Sequence, residues 1–195
     1  MHRHANVATW ADGQFGEPGY RGAAMQANTA VMDLTVACVT SVKNATGLEL
    51  DLSQETLPIL DHYATLVDSP RHEIVSLVAP MTGAYFGELL RRQLDDGNWV
   101  TGSDEYAAWR LHFERCSLSF NPMGIALEVL LGQDLPGWGT ELQTAPRDQP
   151  RVEHALAAYG AVRDRDFYTF CVRFEAIEQA YLALLNNPAG MAPKP

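Results

Sequence analysis

The stretch from Gly83 to Trp99, GAYFGELLRRQLDDGNW, gathers the side chains of this 195-residue chain that are best suited to chemistry: Tyr85, Glu88, Arg91, Arg92 and Trp99. On a helix Tyr85, Glu88 and Arg92 share a face, and Glu88 to Arg92 is the favourable i, i+4 order for an ion pair. Met81 and Leu89 lie on the same face, which predicts a partly buried pair, where a charge without a partner is costly. Three readings follow, one of them a protein-binding surface. In the structural one, Glu88 accepts hydrogen bonds from the strands or a loop and fixes the helix against a sheet. In the chemical one, Glu88 is an acid or base and Arg92 an anion clamp in a polar pocket, with Tyr85, Arg91 and Trp99 around them as binding residues.

No other motif competes with this stretch. The sequence has no G-x-S-x-G elbow, P-loop, G-x-G-x-x-G after a strand, H-E-x-x-H or paired C-x-x-C. Cys116 and His112 could form a nucleophile pair only from a strand and turn, with no source of thiolate activation. Cys38, Cys116 and Cys171 sit in apolar runs such as VACV and TFCVRF and read as small core residues in a reducing compartment. His2 and His4 form an H-x-H pair without a nearby Cys, Asp or Glu cluster, so no metal site is expected. His62, His72 and His154 read as solvated or capping residues. No catalytic residue and no cofactor is assigned.

Charge narrows the partners. Against 14 Lys and Arg stand 24 Asp and Glu, a formal net charge of −10, so a phosphate-binding basic face is not expected and a basic or neutral partner is more natural, while solubility alone also accounts for an acidic surface. No segment approaches the roughly eighteen apolar residues of a membrane span, and the N-terminus has no apolar leader core, which together suggest a cytoplasmic protein. With 47% hydrophobic residues, the chain can bury one substantial core.

The elements that must position these residues are read from periodicity. Residues 1–24 carry glycines at 13, 16, 19 and 22 and read as a flexible or surface-laid arm, anchored by Trp10, Phe15 and Tyr20 if it is laid down, and dispensable to the fold. Residues 25–187 read as one globular domain and 188–195 as a tail. Val31, Leu34 or Thr35, Cys38 and Val42 give a helical stripe over 25–46 ended by Gly47, with a strand as the alternative because of its β-branched residues. Ser53 is a predicted N-cap for a helix over 54–67. A central helix spans 71–95, apolar on two sides, with Pro80 marking a kink or a restart. Its Gly83 and Gly87 form a groove for the close approach of another backbone.

After Gly97 the period changes to two. NWVTG, YAAWRLHF and RCSLSFNP predict three short antiparallel strands. Asn121 and Pro122 cap and start a helix that Gly132 closes, and TELQT is a candidate strand in the loop 133–150. Two helices follow, over 151–162 and 166–186. In the second, Phe167, Phe170, Phe174, Ile177, Tyr181 and Leu184 form an apolar seam that belongs either in the core or in a homodimer interface.

The order LELDLSQETLPILDHYATL, GAYFGELLRRQLDDGNW, strand meander and FNPMGIALEVLLG resembles a broad group of small bacterial domains with a Gly-x-Tyr-x-Gly-Glu helix followed by a Gly-x-Trp turn. The resemblance covers residues 48–132, with Thr56 where that pattern has serine, and it implies a fold and no activity. The sequence thus predicts an α+β domain: a central helix packed on a small antiparallel β-meander, with helical N- and C-terminal flanks. The functional expectation is a non-catalytic protein-interaction or regulatory domain, such as an acidic immunity-type neutraliser of a basic protein. The alternative is a small hydrolase or ligand-binding enzyme working at Glu88 and Arg92.

Overall fold

The computed structural model describes residues 2–3, 5–9, 20–94, 97–101, 105–160 and 162–185, and shows an α+β fold. In chain order its strands are β1 (His2–Arg3), β2 (Val7–Thr9), β3 (Gly97–Val100), β4 (Arg110–Phe113), β5 (Leu118–Phe120), β6 (Leu142–Thr144) and β7 (Val162–Arg163). The helices are α1 (Tyr20–Thr46), α2 (Leu57–Leu66), α3 (Arg71–Glu73), α4 (Ala79–Leu94), α5 (Pro122–Leu131), α6 (Gln149–Tyr159), α7 (Asp164–Phe167) and α8 (Phe170–Leu185). No helix among the described residues is long and apolar enough to cross a membrane.

The expected meander is present, with its second strand shortened to Arg110–Phe113 because Tyr106–Ala108 form a 3-10 turn, and it is part of a larger sheet. Strands β3, β4 and β5 pair antiparallel, β6 joins β5, and β2 joins β6 in parallel, giving the order β2-β6-β5-β4-β3. Alternation fixes which face is buried, because directly paired residues share a face. Trp99, Leu111 and Phe120 lie on one face with Phe113, Leu118 and Leu142, all buried; Asn98, His112, Ser119 and Gln143 lie on the other. The apolar face meets the helices: Phe113 of β4 packs edge-on against Tyr181 of α8, with ring centroids 5.4 Å apart.

Helix α4 is the axis of the domain, packed mainly against α1 and α5 and buried along its length from Ala79 to Leu90. Residues 71–94 form one continuous helical path rather than two helices. A π-turn over Ile74–Val78 accommodates Pro80: the Ala79 amide donates to Ile74 carbonyl, five residues back, and the widened turn relieves the clash a proline ring makes with the preceding turn. At Gly83 the N-terminus of α5 lies directly on the helix. A Cβ there would sit 2.6 Å from Met123 Cα, so only glycine admits this approach. Asn121 caps α5 as expected, its side-chain oxygen accepting from the Met123 and Gly124 amides at 3.0 and 3.3 Å. Gly132 ends α5 in the left-handed conformation, φ 61°. Gly47 does the same for α1, its amide donating to Lys43 carbonyl at 2.9 Å, and the strand alternative for that segment is set aside.

Three expectations need correction. First, α1 begins at Tyr20, and residues 7–9, assigned to an arm, form an edge strand of the sheet, with the Leu142 amide donating to Asn6 carbonyl at 2.9 Å. A three-residue parallel strand, paired with a segment far away in sequence, leaves no alternation to read. Trp10, Phe15, Gly13, Gly16, Gly19 and the tail 188–195 lie outside the described residues, as do the side chains of His2, His4 and Tyr20. Second, Ser53 makes no side-chain cap; Asp51 instead fixes the turn before the helix, accepting from the Ser53 amide at 2.9 Å and the Thr56 hydroxyl at 3.1 Å, and α2 starts at Leu57. Third, the last predicted helix breaks at Tyr168 and Thr169, and α8 begins at Phe170. All six seam residues from Phe167 to Leu184 are buried within the chain, the core alternative of the two that the seam allows.

Two stability predictions follow from this packing. Gly83→Ala should destabilise the domain by about 3 kcal/mol through overpacking. Gly47→Ala, with nothing within 4 Å of the new methyl group, should cost about 1 kcal/mol for its left-handed backbone alone; urea titration compares the two. Truncation of residues 1–9 should lower stability by about 2 kcal/mol, roughly 5 °C in Tm, because it strips β6 of its neighbour and Leu142 of an acceptor. Thermal scans of both chains check this.

Candidate functional site

The residues singled out on α4 divide into two groups. Glu88 is only 3% exposed. Arg91 Nε approaches its two carboxylate oxygens at 3.0 and 3.2 Å, and Arg91 Nη2 donates to Oε2 at 3.1 Å. From β3, the Trp99 indole donates to Oε1 at 2.7 Å. This is the hydrogen bond from the sheet that the structural reading of Glu88 requires. The pairing is therefore with Arg91 at i+3, and the expected partner Arg92 is exposed to solvent instead.

Strand β3 makes this choice. The Arg91 stem lies across Gly97, where a Cβ would meet Arg91 Cγ at 2.8 Å. The Trp99 ring presses on Gly87, where a Cβ would meet ring carbons at 2.3 and 2.5 Å. Together they draw the Glu88 carboxylate toward the strand and away from Arg92. Charged donors on a buried carboxylate make strong hydrogen bonds, and here both oxygens are occupied.

Tyr85 serves a different element. Its buried hydroxyl accepts from the Leu52 amide at 3.0 Å and shares a hydrogen bond with the Thr56 hydroxyl at 3.1 Å. Burial raises its pKa, with those hydrogen bonds opposing the shift. These contacts hold Leu52 in a left-handed conformation, φ 62°, that leucine rarely adopts. Glu88, Arg91 and Trp99 thus come together, while Tyr85 and Arg92 stand apart from them.

A second buried charge cluster was not singled out from the sequence. Arg173 of α8, 6% exposed, reaches Glu128 of α5 with Nη2 2.6 Å from Oε2. Glu128 Oε1 accepts from the Leu135 amide and the Thr140 hydroxyl, both at 3.0 Å. The guanidinium lies 3.9 Å from the Phe167 ring centroid, a cation–π contact made possible by the break between α7 and α8. Burial lowers the Arg173 pKa, and the Glu128 charge opposes that shift. Beside the pair opens a cavity of about 150 Å³. Its signal in the sequence was legible: Glu128 is the one charge in an apolar helix, and Arg173 falls on the apolar seam at the spacing of Phe170, Phe174 and Ile177.

A third cluster links α2 to α8. The Asp61 carboxylate accepts from the amides of Phe170 and Cys171 at 2.5 and 3.1 Å, satisfying the open N-terminus of α8. Burial raises the Asp61 pKa against these hydrogen bonds. Burial, with help from Asp61, pushes the Cys171 thiol up to about 12, and burial also raises Cys38, so neither thiol is activated. Among the described residues no group of three or more His, Cys, Asp or Glu side chains is placed to hold a metal ion.

If Glu88 ties α4 to β3, Glu88→Gln should lower stability by about 1–3 kcal/mol, since Arg91 loses its counter-charge while Trp99 keeps an acceptor. Arg91→Ala should be destabilising in the same sense. Arg92→Ala, on an exposed side chain, should change stability by less than about 0.5 kcal/mol. Chemical denaturation of the three variants separates the assignments, and loss at Arg92 rather than Arg91 would overturn them.

No protein-family model matches the chain, and no curated protein and no solved structure matches it either, so the reading of its function rests on the geometry of the chain itself.

Proposed function

We propose that this chain is a non-catalytic interaction or regulatory domain that engages a basic protein partner, in the manner of an acidic immunity-type neutraliser. The observation that carries this reading is the state of Glu88. The carboxylate best placed in sequence for acid–base work has both oxygens bound by Arg91 and Trp99 and lies 3% exposed, with no open face toward a substrate. The competing enzyme reading needs Glu88 and Arg92 in one polar pocket, and the two side chains point to different surroundings.

Two features support the choice of partner. The formal charge of −10 favours a cationic protein and speeds its encounter. Helix α1 also exposes Met32 and Val36, one turn apart and 44% and 59% accessible, with exposed Asp33 between them. An apolar pair beside a carboxylate suits a partner whose lysines or arginines flank an aliphatic contact.

The reading predicts a complex with a protein rich in Lys and Arg that weakens as ionic strength rises from about 50 to 200 mM. The double variant Asp33→Lys, Val36→Ser should weaken it about tenfold, equivalent to about 1.4 kcal/mol, without lowering Tm. Calorimetry with the purified partner measures this. A salt-insensitive complex would count against the reading, and so would substrate turnover abolished by Glu88→Gln.

A further inference from the structure

The cavity beside the Glu128–Arg173 pair combines features that the packing of the fold does not require. Its floor is formed by the buried side chains of Glu128, Phe167 and Arg173, and its rim includes Asn6, Asp134 and Glu141. Glu128 balances Arg173; on the rim Asp134 accepts from the Tyr168 hydroxyl at 3.0 Å and Glu141 lies within electrostatic reach of Arg110, and these two further carboxylates give the site acceptors for a cation. Arg173 adds an opposite demand. Its side chain is more than nine-tenths buried, yet among the described residues no protein acceptor meets its Nε–H, an arrangement that is unfavourable until an oxygen is supplied.

We propose that this cavity binds a small molecule carrying an ammonium group together with a nearby oxygen acceptor, the chemistry shared by amino-acid amides, amino alcohols and small amino acids. The ammonium faces Asp134 and Glu141, and the oxygen lies toward Arg173. Size fits this class: about 150 Å³ is the volume of roughly five waters, at about 30 Å³ each, and so admits a ligand of about that many heavy atoms. The site is also preorganised. Phe167 stacks on the guanidinium, and Glu128 is held by Leu135 and Thr140, so binding does not have to order the charged floor. The N-terminal segment completes the wall, since Asn6 is fixed by its carbonyl to the Leu142 amide. This site is distinct from the partner surface on α1 and stands or falls separately from it.

The test titrates the full chain with glycinamide, ethanolamine and serine, and with methylammonium and acetate as single-function controls, following backbone amides by heteronuclear NMR. The bifunctional compounds should give saturable shifts at Leu135 and Thr140, with affinities about tenfold or more above either control. Glu141→Gln, on the rim, should weaken that binding about fivefold or more while leaving the rest of the spectrum unchanged. Arg173→Lys should abolish the preference for an oxygen acceptor; because Arg173 is buried and that variant could unfold, the Glu141 variant carries the test by itself. The proposal is overturned if none of the three compounds shifts Leu135 and Thr140 saturably, which would mean that water alone fills the cavity. It is overturned equally if methylammonium binds as well as glycinamide, or if Glu141→Gln leaves binding unchanged.

Discussion

The close approach of α5 to α4 at Gly83 is the constraint on which the other parts depend. Backbone meets backbone there, with Pro122 and Met123 resting where a side chain would otherwise be. The contact places Asn121, which caps α5 and whose amide group donates to the carbonyls of Tyr106 and Ala107 at 2.9 and 3.1 Å. The Asn121 backbone amide reaches Gly139 carbonyl at 2.8 Å, in the loop that leads to β6. One residue thus joins the helix start, the approach to β4 and the return to the sheet. Four residues along α4, Gly87 makes room for the Trp99 ring, and through it for β3.

The domain buries two carboxylates in opposite ways. Glu88 has a half-exposed partner, since the Arg91 side chain keeps 39% of its surface, and part of the charge pair remains in water. Glu128 and Arg173 are both nearly inaccessible, so each pays most of its desolvation and relies on geometry to offset it. The first pair is a strut between a helix and a strand. The second organises the 133–140 loop and leaves, among the described residues, the Arg173 Nε–H without a protein acceptor beside a cavity.

What the sequence determined by itself was everything governed by neighbours a few residues apart. Asn121 and Pro122 before an apolar run, and Gly132 after it, specify α5 because the capping oxygen and the left-handed turn act on amides and carbonyls of the same segment. Alternation in RLHF and LSF specifies which side chains join the apolar face of the sheet, and the spacing from Phe170 to Leu184 specifies the inward face of α8. The glycine pair of α4 marked a close approach without naming what approaches. Only the tertiary structure decided the partners. On an isolated helix Arg92 at i+4 is the favoured partner of Glu88 and Arg91 at i+3 is also within reach, and Trp99 and Gly97 on β3 select Arg91. Glu128 meets Arg173 across 45 residues, and Asp61 reaches the start of α8 across 109. Strand β2 finds β6 in parallel across most of the chain. Such pairings are set by the shape left when all the segments pack together, and no single segment contains that shape.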